Sequence, residues 1–265
     1  MPDLKQWNTS VTDIADSRIA YRGMPIAPLI ESAELPSTMW LVLFGTTPTP
    51  GQSDALRRSL IAALDHGPAA PSTLAARATA STRSSIPFAI ASGLIAFAGP
   101  AHGGAAEEAA YIFRAIAEDG GASPGEVAHA SVRARLDAGH RMPGYGHPYH
   151  ARDPRVEPLM AGVEANRTYR DIAVGCEAAL LELTGKPLHM NADAAVAGLL
   201  LDAGLEPADI TLVTALGRAF GLAAHAREEQ TRERPFRAPS LDTITFTTGP
   251  DAADPRRQPK EGSSP

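Results

Sequence analysis

The chain has 265 residues, a formal net charge of −6 at neutral pH and a single cysteine, Cys176. One cysteine excludes an internal disulfide framework and a metal site built from cysteines alone. The acidic balance argues against a protein whose main task is to bind nucleic acid, because such proteins carry an excess of basic charge.

The composition favours helices. Apolar residues make up 44% of the chain and aromatic residues only 5%, and alanine is the commonest residue. Alanine is the best helix former, whereas a sheet-rich core would use aromatic and β-branched residues. We therefore predict an all-α protein.

No segment has the length and apolarity of a membrane span. The longest apolar stretch, 86–98, contains Pro87, Ser92 and Gly93 and is too short to cross a bilayer. The first twelve residues contain no apolar run of the kind found in a signal peptide. Together with the single free thiol, these observations predict a cytoplasmic protein with no membrane partner.

In chain order, the first 50 residues are punctuated by proline and are predicted to be irregular. Apolar spacing of three and four residues, with capping residues and Gly-Pro stops, then predicts a succession of helices. These helices cover 56–64, 85–98, 102–120, 127–136, 166–184, 192–201 and 207–224, and another begins at Asp153. The apolar period fades after Pro235, and the segment 251–265, rich in Pro, Arg and Ser, is predicted to be a disordered tail.

Four segments interrupt this helical pattern and carry the candidate chemistry. They are Gly99–Gly104, Pro143–His147 with Asp153–Arg155, Asn191–Asp193, and Gly217–Gly221 with Arg234. Each has a titratable or cationic side chain at a backbone break or a helix start, where free N–H groups favour anions.

His102, His147 and Asp193 are the candidate reactive groups. His102 stands at a helix start, which disfavours its imidazolium form, and a neutral imidazole can donate a hydrogen bond to a carbonyl where an enolate must form. His147 ends a Gly-x-Gly run, where the backbone can approach a ligand closely. Asp193 lies in the first turn of a helix, which favours the ionised carboxylate of a general base.

The arginines of these segments are candidate anion ligands. Arg155, Arg218 and Arg234 present planar donor forks that suit carboxylates. Each candidate also has an ordinary structural interpretation. A histidine near glycine is often a cap, an aspartate in a first helical turn often interacts only with the helix dipole, and a single arginine is usually solvated.

No metal or resident cofactor is expected. The sequence has no His-x-x-x-His pair or Cys/His cluster, and Gly103-Gly104 does not belong to a phosphate-binding loop. His66, His150 and His225 could line a cleft, but surface or structural roles are favoured for them.

Taken together, the four segments resemble the citrate synthase superfamily. Gly-Pro-Ala-His-Gly-Gly at 99–104 is similar to that family's Gly-Pro-Leu-His-Gly-Gly, and Asn-Ala-Asp at 191–193 is similar to its Asn-Val-Asp. Pro-Gly-Tyr-Gly-His at 143–147, followed by Asp-Pro-Arg at 153–155, looks like its second histidine loop. The segments also follow one another in the family's order and at similar spacing.

The resemblance covers about 13–240 and implies an all-α fold of two domains that close over a cleft. Weaker matches lie at Tyr21–Gly23 and Asp65–Pro68. By this likeness, the large, dimer-forming domain comprises 1–102 and 199–250, and the inserted small domain comprises 103–198. Closure over the substrate keeps water from a reactive intermediate.

For the site, the resemblance implies carbon–carbon bond chemistry on a CoA thioester, with the thioester as substrate and no cofactor. Asp193 would remove a methyl proton from acetyl-CoA, His102 would stabilise the enolate, and His147 would polarise the keto group of oxaloacetate. The implied dicarboxylate ligands are Arg155, Arg218 and Arg234, the last across the subunit boundary of a homodimer. The implied CoA contacts are Met142, Pro143, Gly144, Tyr145 and Gly146.

Three functions are compatible with these residues. The short chain looks like the citryl-CoA lyase branch, which cleaves citryl-CoA to acetyl-CoA and oxaloacetate, and this interpretation is favoured. The alternative is a citrate synthase or methylcitrate synthase, because both histidines and the aspartate are present. The second alternative is a non-catalytic subunit that binds CoA or citrate, although a pure binder has no need of the base.

Overall fold

The computed structural model of the chain describes residues 8–119, 124–161 and 166–244. Helices dominate these residues and confirm the all-α prediction, apart from one small sheet. The helices are α1 (Ile26–Ser32), α2 (Leu35–Phe44), α3 (Pro50–Ala63), α4 (Pro71–Ser81), α5 (Ile86–Phe97), α6 (Gly104–Glu118), α7 (Pro124–Asp137), α8 (Val156–Met160), α9 (Thr168–Thr184), α10 (Ala192–Asp202) and α11 (Pro207–Arg232). A short 3₁₀ helix, Leu241–Thr243, follows α11. The predicted tail at 251–265 lies outside the described residues.

A three-stranded antiparallel sheet, α1 and α2 occupy the region predicted to be irregular, so that prediction was wrong. The strands are β1 (Thr12–Ala15), β2 (Arg18–Tyr21) and β3 (Met24–Pro25). The guanidinium of Arg22 donates two bonds of 3.1 Å to the carbonyl of Val42 and so ties the sheet to α2. Because the strands are two to four residues long and mostly exposed, they lack the apolar alternation by which a strand is predicted.

Three helices differ from the predicted pattern for local reasons. α3 begins earlier because Thr49 and Gln52 form a capping box, in which each side chain accepts the backbone N–H of the other. α4 has no predicted counterpart, because its inward positions are Ser72, two other small polar residues and alanines rather than large apolar residues. α11 continues past its predicted end through turns held by polar pairs such as Arg232 with Glu228.

The core centres on α10, which is buried at every position except Asp193. α10 packs against α3, α6, α8, α9 and α11, and its four alanines and one glycine let these helices approach closely. A fully buried ion pair, 2.7 Å from Arg170 Nε to Asp202 Oδ2, joins α9 to α10. α4 and α5 pack on α11, and α7 packs on α9.

Several element ends converge beside α10. The start of α10, the turn before α6, the segment before α8 and the loop between α3 and α4 all reach one cavity. Within the described ranges, no helix is long and apolar enough to cross a membrane. In the same part of the chain, no group of three or more His, Cys, Asp or Glu side chains is arranged to hold a metal ion.

Candidate active site

A cavity of about 530 Å³ lies where these element ends meet. Its walls include His102, His147, Arg155 and Asp193, four of the residues that the sequence motifs predict. The fold therefore brings a carboxylate, two imidazoles and a guanidinium into one space, although they come from distant parts of the chain.

Asp193 is the residue of α10 that lines the cavity. Asn191 caps the helix as predicted, and its Oδ1 accepts the N–H of Asp193 at 2.9 Å. Burial raises the pKa of Asp193 to about 6, although the charge of Arg155 opposes this shift. The carboxyl group is therefore less acidic than its place in the first helical turn predicts, because desolvation outweighs the helix dipole. With this pKa the group can accept and return a proton close to neutral pH.

The loop that ends at His147 is packed against the start of α10. Asn191 donates its side-chain amide to the carbonyl of Gly146 at 2.8 Å and its N–H to the carbonyl of Gly144 at 2.9 Å. Gly144 has a φ of +82°, and a Cβ there would lie 2.6 Å from the Cβ of Ala194, so only glycine fits. These bonds tie the histidine loop to the helix that carries the candidate base.

The predicted CoA-binding loop, 142–146, does not line this cavity. Tyr145 donates its hydroxyl to the carbonyl of Ala173 at 2.7 Å, and the N–H of Gly146 bonds to the carbonyl of His189, also at 2.7 Å. The loop thus has a supporting position beside the cavity, and its contact with CoA stays a prediction.

The backbone around His147 selects one tautomer of its ring. Nδ1 accepts the N–H groups of Tyr149 and His150, at 3.1 and 3.2 Å. We therefore assign the proton of the neutral ring to Nε2, which becomes a donor. Burial lowers the pKa of His147, and the charge of Asp153 offsets only part of that effect, so the neutral ring dominates at pH 7.

His102 lies in the turn that precedes α6 and also lines the cavity. Its Nε2 is 2.8 Å from the hydroxyl of Ser72, a buried residue of α4. Burial, followed by the charge of Arg218, lowers the pKa of His102. The predicted neutral imidazole is thus favoured, with desolvation as the leading cause rather than the helix start. Nδ1 has no hydrogen-bond partner among the described residues, so it is available to a ligand.

Like His150, His66 lines the cavity, although a structural or surface role is favoured for both from sequence. Its ring centroid is 5.5 Å from that of His102. Burial, together with the charges of Arg218 and Arg155, lowers the pKa of His66 to about 3. The ring is therefore a neutral hydrogen-bonding group at any ordinary pH. The sequence feature that could have indicated the place of His66 in the cavity is its position in Asp65–Pro68, directly after a helix.

Arg155 lines the cavity, but its guanidinium already has a partner. Nε and Nη2 donate to the carboxylate of Asp153 at 2.9 and 2.7 Å, and Nη1 donates to the carbonyl of Ala62 at 3.4 Å. Burial alone would raise the pKa of Asp153, but the bonds from Arg155 and from the N–H of Ala192 outweigh it and lower the pKa to about 2. This predicted anion ligand therefore contributes its charge rather than a free donor fork.

Arg218, on α11, is fully buried. Its Nη1 donates to Oδ1 of Asp65 at 3.1 Å, whereas Nε and Nη2 have no hydrogen-bond partner in the part of the chain that the structure describes. Burial lowers the pKa of Arg218 to about 10, against the opposing charge of Asp65. The guanidinium does not line the cavity but lies over the ring of Phe97, 5.7 Å from its centroid, and that ring packs against the ring of His102 at 5.2 Å. Buried N–H groups without partners are costly, so this guanidinium is suited to receive an anion.

Arg234, the third predicted anion ligand, is exposed and does not line the cavity. It follows the end of α11, on a segment that is exposed throughout. Its role across a subunit boundary stays a prediction, because the structure contains one chain.

Together, the side chains around the cavity are suited to moving a proton to or from the carbon next to a carbonyl group. Such a proton is only weakly acidic, so a base can remove it only if the developing enolate oxygen is stabilised at the same moment. Asp193 supplies the acid–base group, the neutral rings of His102 and His147 supply donors, and the buried guanidinium of Arg218 supplies the charge for an anionic substrate.

Comparison with known proteins identifies the family of the chain. The family model for the citrate synthase C-terminal domain matches residues 43–239. Citrate synthase 2 of Bacillus subtilis is 29% identical over 244 residues, a match that covers 89% of this chain and 62% of the relative. 2-Methylcitrate synthase of Shewanella oneidensis is 28% identical over 235 residues, covering 86% of this chain and 60% of the relative. The chain thus spans about three fifths of the length of these curated relatives.

A solved structure matches over a larger share of its length. Citryl-CoA lyase from Hydrogenobacter thermophilus has a TM-score of 0.82 and 30% identity, and the match covers 96% of this chain and 98% of the lyase. The expected citrate synthase-like fold is confirmed by this likeness. The family model covers most of the chain and includes every predicted reactive residue. The chain therefore belongs to the citrate synthase family.

Proposed function

We propose that this protein cleaves citryl-CoA to acetyl-CoA and oxaloacetate through the enolate of acetyl-CoA. The observation that carries the proposal is the fully buried guanidinium of Arg218, whose Nε and Nη2 have no hydrogen-bond partner among the described residues and whose charge acts on Asp193 in the cavity. A carboxylate of the substrate would supply the acceptors that Nε and Nη2 lack. The likeness to citryl-CoA lyase, which extends over nearly all of both chains, favours cleavage.

Three residues have separate roles in the cleavage of citryl-CoA. The hydroxyl proton of citryl-CoA leaves to solvent, and Nε2 of His147 donates a hydrogen bond to that oxygen as it becomes the keto oxygen. The carbon–carbon bond breaks, and its electron pair passes to the thioester arm. With the hydroxyl of Ser72 donating to Nε2, the ring of His102 would carry its proton on Nδ1 and donate it to the resulting enolate oxygen. Asp193, in its acid form, protonates the enolate carbon and so completes the methyl group of acetyl-CoA.

A citrate synthase or 2-methylcitrate synthase is the second candidate. Curated relatives with these names match 89% and 86% of the chain. In that direction Asp193 would act in its base form on the acyl-CoA, the enolate carbon would attack the keto carbon, and water would then hydrolyse the thioester. Release of free CoA therefore distinguishes a synthase from a lyase.

We also propose that the protein works as a homodimer of two-domain subunits. The dimer-forming domain would comprise 1–102 and 199–250, and the small domain 103–198. Support comes from large apolar side chains on α5 and α11 that are exposed in the single chain, at 69% for Phe88, 79% for Ile95 and 66% for Phe220. Exposed apolar surface of this kind often pairs with another protein.

Two predicted contacts depend on that assembly. Arg234 would join the dicarboxylate ligands of the partner's site, and the loop 142–146 would contact CoA when the domains close.

Cys176 is free and buried, which suits the reducing conditions of the cytoplasm.

The test gives purified protein citryl-CoA in one assay, and oxaloacetate with acetyl-CoA or propionyl-CoA in another. Formation of acetyl-CoA and oxaloacetate from citryl-CoA is the expected result. Condensation with release of free CoA would support the synthase instead. Binding of citrate and CoA without any turnover, unchanged in Asp193→Asn, would overturn both and leave a non-catalytic binding subunit.

A further inference from the structure

His225 is connected to the buried guanidinium through a shared carboxylate oxygen. Its Nε2 and the Nη1 of Arg218 both lie 3.1 Å from Oδ1 of Asp65. Since Arg218 and His225 are two helical turns apart on α11, both side chains leave the same face of the helix. One helix thus supplies two donors to a residue of the cavity wall.

Two glycines of α11 allow Asp65 to come this close. Gly217 and Gly221 are spaced by four residues and lie on the same helical face. A Cβ at Gly221 would lie 1.9 Å from the carbonyl oxygen of Leu64, and one at Gly217 would lie 2.7 Å from another carbonyl of α3. Only glycine therefore lets the end of α3 rest on α11, directly before Asp65.

A cluster of charges holds the other ring nitrogen of His225. Nδ1 lies 3.5 Å from Nη1 of Arg77, and a guanidinium can only donate. Arg77 is held in turn by Glu228 at 3.1 Å and by the buried Glu229 at 2.8 Å. Nδ1 of His225 is therefore the acceptor, and Nε2 carries the hydrogen that points to Asp65.

Asp65 receives three donors from the described residues. The N–H of Gly67 donates to Oδ2 at 3.0 Å, while Arg218 and His225 share Oδ1. The side chain of Asp65 is 44% exposed, so these bonds are what keep it from turning to solvent. Held in this position, the carboxylate takes up one nitrogen of Arg218 and leaves Nε and Nη2 for a ligand.

We propose that His225 is a positioning residue of the anion site, which orients Arg218 toward a dicarboxylate through Asp65. The inference rests on the proposed function, because that function assigns the dicarboxylate to Arg218. His225 does not line the cavity, so it affects the ligand only through these two residues.

The test compares His225→Gln with His225→Asn. Glutamine carries its amide nitrogen about as far out as Nε2 and keeps the bond to Asp65, whereas asparagine reaches only as far as Nδ1. Calorimetry with citrate and with CoA gives the Kd values, and kinetics give KM for each substrate. We expect His225→Asn to raise the citrate Kd and the oxaloacetate KM about tenfold, and His225→Gln to stay within about twofold of wild type. The CoA Kd and the thermal midpoint stay unchanged in both.

Every other result contradicts either the proposal about His225 or the proposed function. Wild-type citrate affinity in His225→Asn would overturn the proposal, and so would an equal loss in both variants with a lower thermal midpoint, which is the mark of a purely structural histidine. Arg227→Gln, at an exposed position two residues along, is the control and should change nothing. A wild type that binds citrate without turnover would overturn the proposed function alone. A wild type that does not bind citrate would overturn both.

Discussion

Two groups of residues around the cavity are held in place in different ways. The α10 group, defined as His147, Arg155 and Asp193, lies on backbone segments that hydrogen bonds join to one another. Asn191 joins the helix to the histidine loop, and Asp153 occupies the donor fork of Arg155. These bonds hold the side chain of Arg155 and the backbone that carries His147 and Asp193 in place.

The Arg218 group, defined as His66, His102 and Arg218, has fewer internal bonds. Ser72 holds one nitrogen of His102, and Asp65 holds one nitrogen of Arg218. The two other guanidinium nitrogens have no partner among the described residues. The difference separates two tasks, since one group fixes acid–base geometry and the other keeps donors for the substrate.

The largest effect is expected from Asp193→Asn in the α10 group. The amide keeps the size of the side chain but cannot transfer a proton, so kcat should fall about 10²- to 10⁴-fold while KM for the dicarboxylate stays near wild type. Steady-state kinetics in either direction measure both constants. A loss of kcat below about tenfold would contradict the acid–base role.

The comparison of Arg218→Gln with Arg155→Gln tests the two groups against each other. Arg218 has free donors and Arg155 is paired with Asp153, so KM for oxaloacetate should rise about 100-fold in the first variant and only about tenfold in the second. Measured KM values for the CoA substrate serve as the control and should change little. Equal effects on the oxaloacetate KM would show that the two arginines do not differ in the way described.

The pH dependence of kcat/KM should follow Asp193, whose pKa burial raises to about 6. Condensation needs the carboxylate, and cleavage is its reverse, releases no net proton and passes through the same transition state, so kcat/KM in both directions should fall about tenfold per pH unit below 6. Assays of both directions across this range give the two profiles. A kcat/KM that stays constant below pH 6 in both directions would exclude Asp193 as the titrating group.

The smallest effect concerns stability. Because the pKa of Asp193 is raised on folding, its ionisation opposes folding increasingly as pH rises from about 4 to about 6, and this cost is complete above that window. Asp193→Asn should therefore raise the thermal midpoint at pH 8 by about 2 to 4 °C and leave it unchanged near pH 4. Scanning calorimetry at the two pH values measures this, and an increase of equal size at both would reject the linkage.

Much of the α10 group could be predicted from sequence because local rules determine it. Asn191 and Asp193 form a cap-and-helix pattern, and His147 follows a Gly-x-Gly turn. The pKa of Asp193 could not be predicted in the same way, since it depends on burial by helices that are remote in the chain.

The contacts of the Arg218 group depend on packing between residues that are remote in the chain, so local sequence patterns do not predict them. Asp65 lies 153 positions from Arg218 and 160 from His225, and no short pattern relates them. The place of His66 in the cavity has the same origin, because it depends on how α3 meets α11. α4 was also not predicted, since its small inward residues give no apolar period.

Exchange of the methyl protons of acetyl-CoA with solvent deuterium tests the central claim most directly, because cleavage and condensation share the same enolate. The protein is incubated in D₂O with acetyl-CoA and an unreactive four-carbon dicarboxylate such as malate, and mass spectrometry follows the label. We predict that the wild type labels the methyl group and that Asp193→Asn does not. Equal labelling by both proteins, or no labelling by a wild type that binds both ligands, would contradict the account.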